Sequence, residues 1–312
     1  MSTATTTSTP TRPDRPANRK AHIDAHQARA GMMFVAPFLV VFVTMLVVPL
    51  CYAAYTSLFR EQLIGGTSFV GLDNYTRAFH DDALIEGVLR VAAFFCVQVP
   101  IMLSLALLAA LAIDSGLLRL SKVVRLGIFL PYAVPSVVAT LMWGYLYGRD
   151  FGPFAQLAEK VGLSKPDFLS DQWMLWSIGN IVSWEFIGYN MIILYAALRS
   201  IPEDLYEAAA VDGAGAVRTA WSIKIPAIRP AILLTVIFSV IGAFQLFTEP
   251  KLLSSLAPSV IDTSYTPNLY AYSLTFTSQE PNYAAAVSFL LGLVIVIVSS
   301  AVLFITSRRS QS

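Results

Sequence analysis

Glu185 stands within Trp173–Leu198, an otherwise apolar run, with Trp184, Phe186, Tyr189 and Asn190 as neighbours. Counted along an α-helix it lies about 18 Å from Trp173 and about 21 Å from Arg199, near the middle of any bilayer that the run crosses. An ionisable group at that depth is costly to keep, so it is a functional candidate by default. Glu185 and Tyr189 are four residues apart and share a helix face, while Trp184 points elsewhere. Aromatic faces beside a few hydrogen-bonding groups suit a sugar, whose C–H faces stack on rings and whose hydroxyls meet polar groups around the edge. The competing assignment for Glu185 is a carboxyl that holds two helices together.

A second constellation is the stretch IPEDLYEAAAVDGAGAVRTAWSIKIP, from Ile201 to Pro226, set between two apolar runs. Pro202 is acceptable where a helix begins, because the N–H it lacks would be unpaired there. Asp204 and Glu207 fall in the first turn, where carboxylates favour the positive end of the helix dipole. The pattern predicts a short helix over Leu205–Val211, ended by Gly213 and Gly215 in the left-handed conformation open to glycine. A second helical stretch over Ala216–Ile223 follows, and Pro226 and Pro230 break the chain before the next apolar run. Small alanine side chains leave room for another protein to approach closely, and the acidic first helix does not suit a segment lying on lipid headgroups.

The elements that must position these groups are apolar spans. Of 312 residues 56% are hydrophobic and 13% charged, and the mean hydropathy is +0.63, which marks an integral membrane protein. A span needs about 20 apolar residues to cross a hydrocarbon layer of about 30 Å. Six candidates are present: Met32–Ser57, Val91–Ile113, Leu126–Tyr147, Trp173–Leu198, Pro230–Phe247 and Ala284–Thr306. An even number puts both ends of the chain on one side. The segments on that side, including Arg12, Arg15, Arg19, Lys20, Arg119, Lys122, Arg125, Arg218, Lys224, Arg308 and Arg309, hold about twice as many basic residues as the opposite loops. The termini and the Ile201–Pro226 stretch are therefore expected to face the cytoplasm.

The opposite loops, Leu58–Arg90, Gly148–Gln172 and Thr248–Tyr283, are long enough either to receive an outside partner or merely to cap the bundle. Cys51 and Cys96 sit in apolar runs and are expected as buried thiols. His22 and His26 read as surface histidines, since no third ligand stands nearby. A net charge of +1 with scattered basic residues excludes a nucleic-acid surface. No paired-carboxylate constellation is expected within the spans. No Gly-x-x-x-x-Gly-Lys-Ser/Thr loop occurs, so any ATP must be bound by another polypeptide.

Glu207-Ala208-Ala209, three residues ending in Asp212, Gly213, nine residues, Ile223, one residue and Ile225-Pro226 together resemble the signature of importer-type ABC permeases. Ile225 replaces the usual Leu. Leu130-Pro131-Tyr132-Ala133-Val134-Pro135-Ser136, and Ser200-Ile201-Pro202 leading into Asp204-Leu205-Tyr206, resemble the carbohydrate-uptake branch, particularly the maltose-type permease subunit. The resemblance covers most of Leu126–Phe247. It implies an all-α polytopic membrane bundle of the type I importer class, with six transmembrane helices and a cytoplasmic coupling helix. On that basis residues 1–31 are a disordered basic cytoplasmic tail, 32–307 the permease domain with its coupling loop at 200–229, and 308–312 a cytoplasmic tail.

The same resemblance implies a non-enzymatic permease in a bacterial inner membrane, working with a second homologous permease, two ATP-binding cassette subunits and an extracytoplasmic solute-binding protein. ATP and magnesium would be bound by the ATPase partner, with no cofactor on this chain. It assigns ATPase contact to Glu207, Ala208, Ala209, Asp212, Gly213, Ile223 and Pro226. It assigns substrate contact to Tyr132, Ser136, Glu185, Phe186, Tyr189 and Gln245. Glu185 and Phe186 depart from the family pattern, where an apolar and a small residue stand. Another solute, such as a glycerol phosphate or a polyamine, is the alternative cargo; a phosphate would favour Arg or Lys facing the cavity, and none lies within the spans. A proton-driven carrier built on Glu185 is a further alternative, without the repeated broken helices such carriers use.

Overall fold

The computed structural model describes residues 25–62, 65–116 and 118–308. The expected N-terminal tail up to residue 24, with His22 and the first four basic residues, lies outside the described residues, as does Arg309 onward. The chain divides between Tyr52 and Ala53 into two units. The first contains α1 (Ala25–Phe42), a π turn (Val43–Val47) and the start of α2 (Val48–Thr56). Its side chains from Met32 to Tyr52 are exposed around most of the helix, as suits a helix whose solvent is hydrocarbon.

The second unit opens with a hairpin of β1 (Phe59–Gln62) and β2 (Gly66–Phe69), paired antiparallel with Phe59 opposite Phe69. Asn74, in α3 (Asp73–Ala78), donates through Nδ2 to the carbonyls of Ser57 and Phe59 at 2.8 Å each, which anchors the strand to the bundle. The long helices follow: α4 (Asp82–Asp114), α5 (Ser121–Phe129) with a 3₁₀ turn (Leu130–Ala133), α6 (Ser136–Tyr147), the short α7 (Pro153–Lys160) and α8 (Asp171–Leu198). The expected third span is thus broken. Its halves meet at 96°, because Pro131 and Pro135 cannot donate to the helix and each disfavours helical geometry in the residue before it. Among the described residues five single helices are long and apolar enough to cross a membrane, and the bent pair makes a sixth if it is one span.

The stretch after α8 folds as α9 (Glu203–Val211), α10 (Ala216–Thr219), a π turn (Ala220–Lys224) and α11 (Ile225–Ala227). Gly213 is left-handed at φ +72, with Ala214 N–H donating back to the Ala209 carbonyl and Gly213 N–H to that of Ala210. That is the glycine-capped helix end the sequence predicts. Gly215 corrects the expectation: it is extended and caps the start of α10 instead. Pro226 does not break the chain either, because the wide π turn before it shifts the carbonyl its ring would strike. The break falls at Ile228, ahead of α12 (Arg229–Phe244). The remaining helices are α13 (Thr248–Leu253), α14 (Pro267–Phe276) and α15 (Pro281–Arg308).

Lipid offers little hydrophobic drive for helices to associate, so the bundle depends on close packing and on hydrogen bonds between helices. The main packed pair is α4 against α8, with Phe94, Ile178 and Ile181 in one cluster and Ala106, Ala110, Met191 and Leu194 in another. Both thiols depart from expectation: Cys51 and Cys96 are free and exposed, on faces that the hydrocarbon would solvate as well as a core does.

At the end of the bundle opposite α9, Asp81 caps α4, accepting from the N–H groups of Ala83 and Leu84 at 3.1 and 3.3 Å. Tyr270 and Tyr283 donate to its other oxygen. Partial burial opposes the charge on Asp81, but these four donors outweigh it and hold the carboxyl below its ordinary value. The stabilisation is therefore complete above an unfolded pKa of about 3.9 and is lost as pH falls through the lower folded value. Amide exchange in α14 should accelerate only under such acid, and Asp81→Asn should loosen the same amides at neutral pH by about 1 kcal/mol, discounted for solvent.

Candidate functional site

α4, α6, α8, α12 and α13 enclose a cavity of about 290 Å³. That is near the lower edge of the range for small-molecule pockets, about 300–1,000 Å³. Ser136, Glu185, Phe186, Tyr189 and Gln245 all line it. The bend at Pro135 starts α6 with Ser136 facing the cavity. Tyr132, 42% exposed, does not line it; its ring stacks on Tyr189 at 4.9 Å and meets Phe186 edge-on at 5.8 Å. Trp184 turns away and packs edge-on against Trp143 at 5.9 Å.

Glu185 is 3% exposed, and its Oε1 has no hydrogen-bond partner. The carboxyl therefore does not tie two helices together through that oxygen. Asn190, one turn on, is 2% exposed; its Nδ2 donates to the Phe186 carbonyl at 3.0 Å and its Oδ1 is unpartnered. Gln98 joins α4 to α8 by donating to Ser183 Oγ at 3.2 Å.

Glu249 also lines the cavity, 7% exposed, and overturns the expectation that no second carboxylate lies within the spans. The fifth span runs on to Leu253 through a break after Phe244. Carbonyls freed by such a break must be satisfied where no water reaches. Asn268 Nδ2 donates to the Phe244 carbonyl at 3.0 Å and Thr266 Oγ1 to that of Leu246 at 3.0 Å. The break so held turns Gln245, Thr248 and Glu249 to the cavity.

At the other end of the same helices, Glu207, Ala208, Asp212 and Gly213 are exposed, Ala209 is buried, and Ile223 and Pro226 are half-buried. Val211, Val217 and Trp221 stand out to solvent beside them, so the surface presents bulky apolar knobs as well as the expected small alanines. Lys224 bonds Asp114 at the end of α4, with side chains 15% and 6% exposed, and lies 5.1 Å above the Tyr206 ring. Burial first, then the Asp114 charge, pushes the Tyr206 hydroxyl up.

Residues 102–311 match the family described as binding-protein-dependent transport system inner membrane component. The chain belongs to that family. The lactose transport system permease protein LacF of Rhizobium radiobacter is 31% identical over 275 residues, spanning 86% of this chain and 91% of LacF. The diacetylchitobiose uptake system permease protein NgcF of Streptomyces coelicolor is 27% identical, spanning 94% of this chain and 86% of NgcF. A bacterial alginate ABC transporter, solved in complex with alginate pentasaccharide-bound periplasmic protein, contains a chain with the same fold: TM-score 0.82, 20% identity, and coverage of 94% of this chain and 99% of that one.

The permease thus brings five of the six sequence-predicted residues into one cavity and sets the sixth, Tyr132, against two of them. Gln98, Asn190, Ser239, Thr248 and Glu249 add further polar groups to the lining. Asn190 was within reach of the sequence, one turn of helix from Phe186. Glu249 carried the signal of a carboxylate four residues beyond Gln245, at the edge of an apolar run. Nothing in the local pattern of α4 marks Gln98, whose role comes from the packing of α4 on α8.

Proposed function

We propose that this permease forms half of the intramembrane path of an ATP-driven saccharide importer in a bacterial inner membrane. The observation that carries the reading is the cavity itself, with Phe186 and Tyr189 beside Ser136, Asn190, Gln245 and two carboxylates. Rings supply a stacking face and the polar groups meet hydroxyls. The permease relatives named for lactose and diacetylchitobiose support a saccharide, and the alginate transporter complex supports an extracytoplasmic solute-binding partner.

In this reading a second homologous permease completes the path. Two ATP-binding subunits carry the ATP and magnesium, and one of them receives Glu207, Ala208, Ala209, Asp212 and Gly213 in a cleft, with Ile223 and Pro226 supporting that segment. The termini and α9 face the cytoplasm, and the chain performs no covalent chemistry. Alternating access arises when ATP-driven movement of the cleft carries α9 and the helices behind it.

Reconstitution with the partner subunits tests this. Saccharide delivered by the binding protein should stimulate ATP hydrolysis, and Glu207→Lys should abolish the stimulation. Hydrolysis indifferent to both would overturn the reading. Tyr189→Ala should raise the saccharide concentration needed for half-maximal uptake about tenfold, the equivalent of about 1.4 kcal/mol, without loss of the assembled complex.

A further inference from the structure

The cavity is lined by carboxyl groups that have no cationic side chain beside them in the lining. Its lining contains two carboxylates, Glu185 and Glu249, and no Lys, Arg or His. Among the described residues neither carboxylate forms an ion pair. Two further facts show that the acceptors are not consumed by the protein. Glu185 Oε1 and Asn190 Oδ1 are both buried and both without a partner. Two nearby amide donors are engaged, Asn190 Nδ2 with the Phe186 carbonyl and Gln98 Nε2 with Ser183, while the exposed Gln245 also lines the cavity.

Buried acceptors without partners are costly, and a carboxylate beside a second carboxylate is more so. The cost is offset when a ligand brings what the lining lacks, namely N–H or O–H donors and positive charge. An ammonium group carries three donors and one positive charge, and Glu185, Glu249 and Asn190 in the lining are the residues whose oxygens could accept from it. A bare metal ion is a poorer match, since only two carboxylates and neutral amides and hydroxyls are at hand. An anionic ligand would find no cationic side chain in this lining, and two carboxyl groups.

We infer that the cavity selects its cargo by charge: it takes a saccharide bearing a protonated amino group in preference to a neutral one, and rejects one bearing a carboxylate, phosphate or sulfonate. The inference rests on the saccharide reading above. It places a charge filter inside the membrane, separate from any choice made by a solute-binding protein. Glu185 and Glu249 are its specificity-determining residues, with Asn190 as the neutral acceptor.

The test is direct binding to the purified, assembled transporter in lipid nanodiscs, without the binding protein. Three disaccharides of equal size serve as probes: glucosamine-β-1,4-glucosamine, cellobiose, and a cellobiose analogue with one C6 oxidised to the carboxylate. The amine should bind at least tenfold more tightly than cellobiose, and the acid at least tenfold more weakly. Glu185→Gln with Glu249→Gln, which keeps shape and removes charge, should bring the three within about threefold of one another. An acid bound as tightly as cellobiose by the unaltered transporter would overturn the inference, whatever the variant does. An unchanged order in a double variant of unaltered thermal midpoint would overturn the role of the two carboxylates. If the three bind without regard to charge, the filter fails and the saccharide reading stands; if none binds and none stimulates ATP hydrolysis, the saccharide reading fails and the filter with it.

Discussion

Gly188→Ala is expected to destabilise the bundle strongly. A Cβ at that position would lie 2.1 Å from the Ile128 carbonyl oxygen and 2.6 Å from Phe129 Cα. Both obstacles are backbone, so no side chain can swing aside to make room. Gly188 is where α8 passes the end of α5, and close backbone approach at a small residue is the kind of contact that holds helices together in lipid. Forcing the two apart costs about 3 kcal/mol, the upper part of the usual range for overpacking. It also moves the Tyr132 ring off Tyr189, because the 3₁₀ turn that carries Tyr132 follows directly on Phe129. The purified variant should show a clearly lowered thermal midpoint and loss of saccharide-stimulated hydrolysis. Gly242→Ala is the control, since a Cβ there meets nothing within 4 Å and the midpoint should not move. Equal midpoints for the two variants would show that α5 and α8 are free to separate at that point.

The contrast between these two glycines shows what local sequence can and cannot carry. Nothing in the residues around Gly188 distinguishes it from Gly242; the difference is a neighbour some 60 positions earlier in the chain. The same limit explains Gln98 and Thr266, whose partners are set by how helices pass one another. What local chemistry does fix was legible. The number of spans follows from apolar length, Gly213 from its place after a capped helix, and Glu185 from its depth. Errors arose where a residue has two local solutions. Gly215 can end one helix or begin the next, and the extended conformation at the start of α10 prevailed. Pro226 can break a helix or sit behind a π turn, and the second occurred. Pro131 and Pro135 were legible as part of a motif, yet their full effect, a turn of 96°, needs both acting within one short segment. Glu249 was assigned to a loop because Phe247 looks like the end of the apolar run, whereas Asn268 and Thr266 allow the chain to break after Phe244 and continue.

Asp114→Ala is expected to separate ATP hydrolysis from transport. Helix α4 touches both working regions: Phe94, Gln98, Val99 and Met102 line the cavity, and Asp114 at its far end holds Lys224 in the π turn that follows α10. A movement of the α9–α11 segment therefore reaches α4 through a nearly buried ion pair, with the Tyr206 ring beneath the ammonium, as well as through the apolar cluster that Tyr206 and Ile228 share with α4. Removing one member of such a pair leaves the other charged and poorly solvated, at a cost of about 3–5 kcal/mol. The variant should lose stability, and a loss of transport alone would not separate a mechanical role from a structural one. Asp114→Leu with Lys224→Met separates them, since exchanging both charges for apolar groups of similar size is often neutral for stability. The doubly substituted permease, in proteoliposomes with its partner subunits, should regain the thermal midpoint of the unaltered protein. Saccharide moved per ATP hydrolysed should still fall at least tenfold, because the apolar pair can slip where the ion pair cannot. If that ratio recovers together with stability, the Asp114–Lys224 pair holds the fold and transmits nothing.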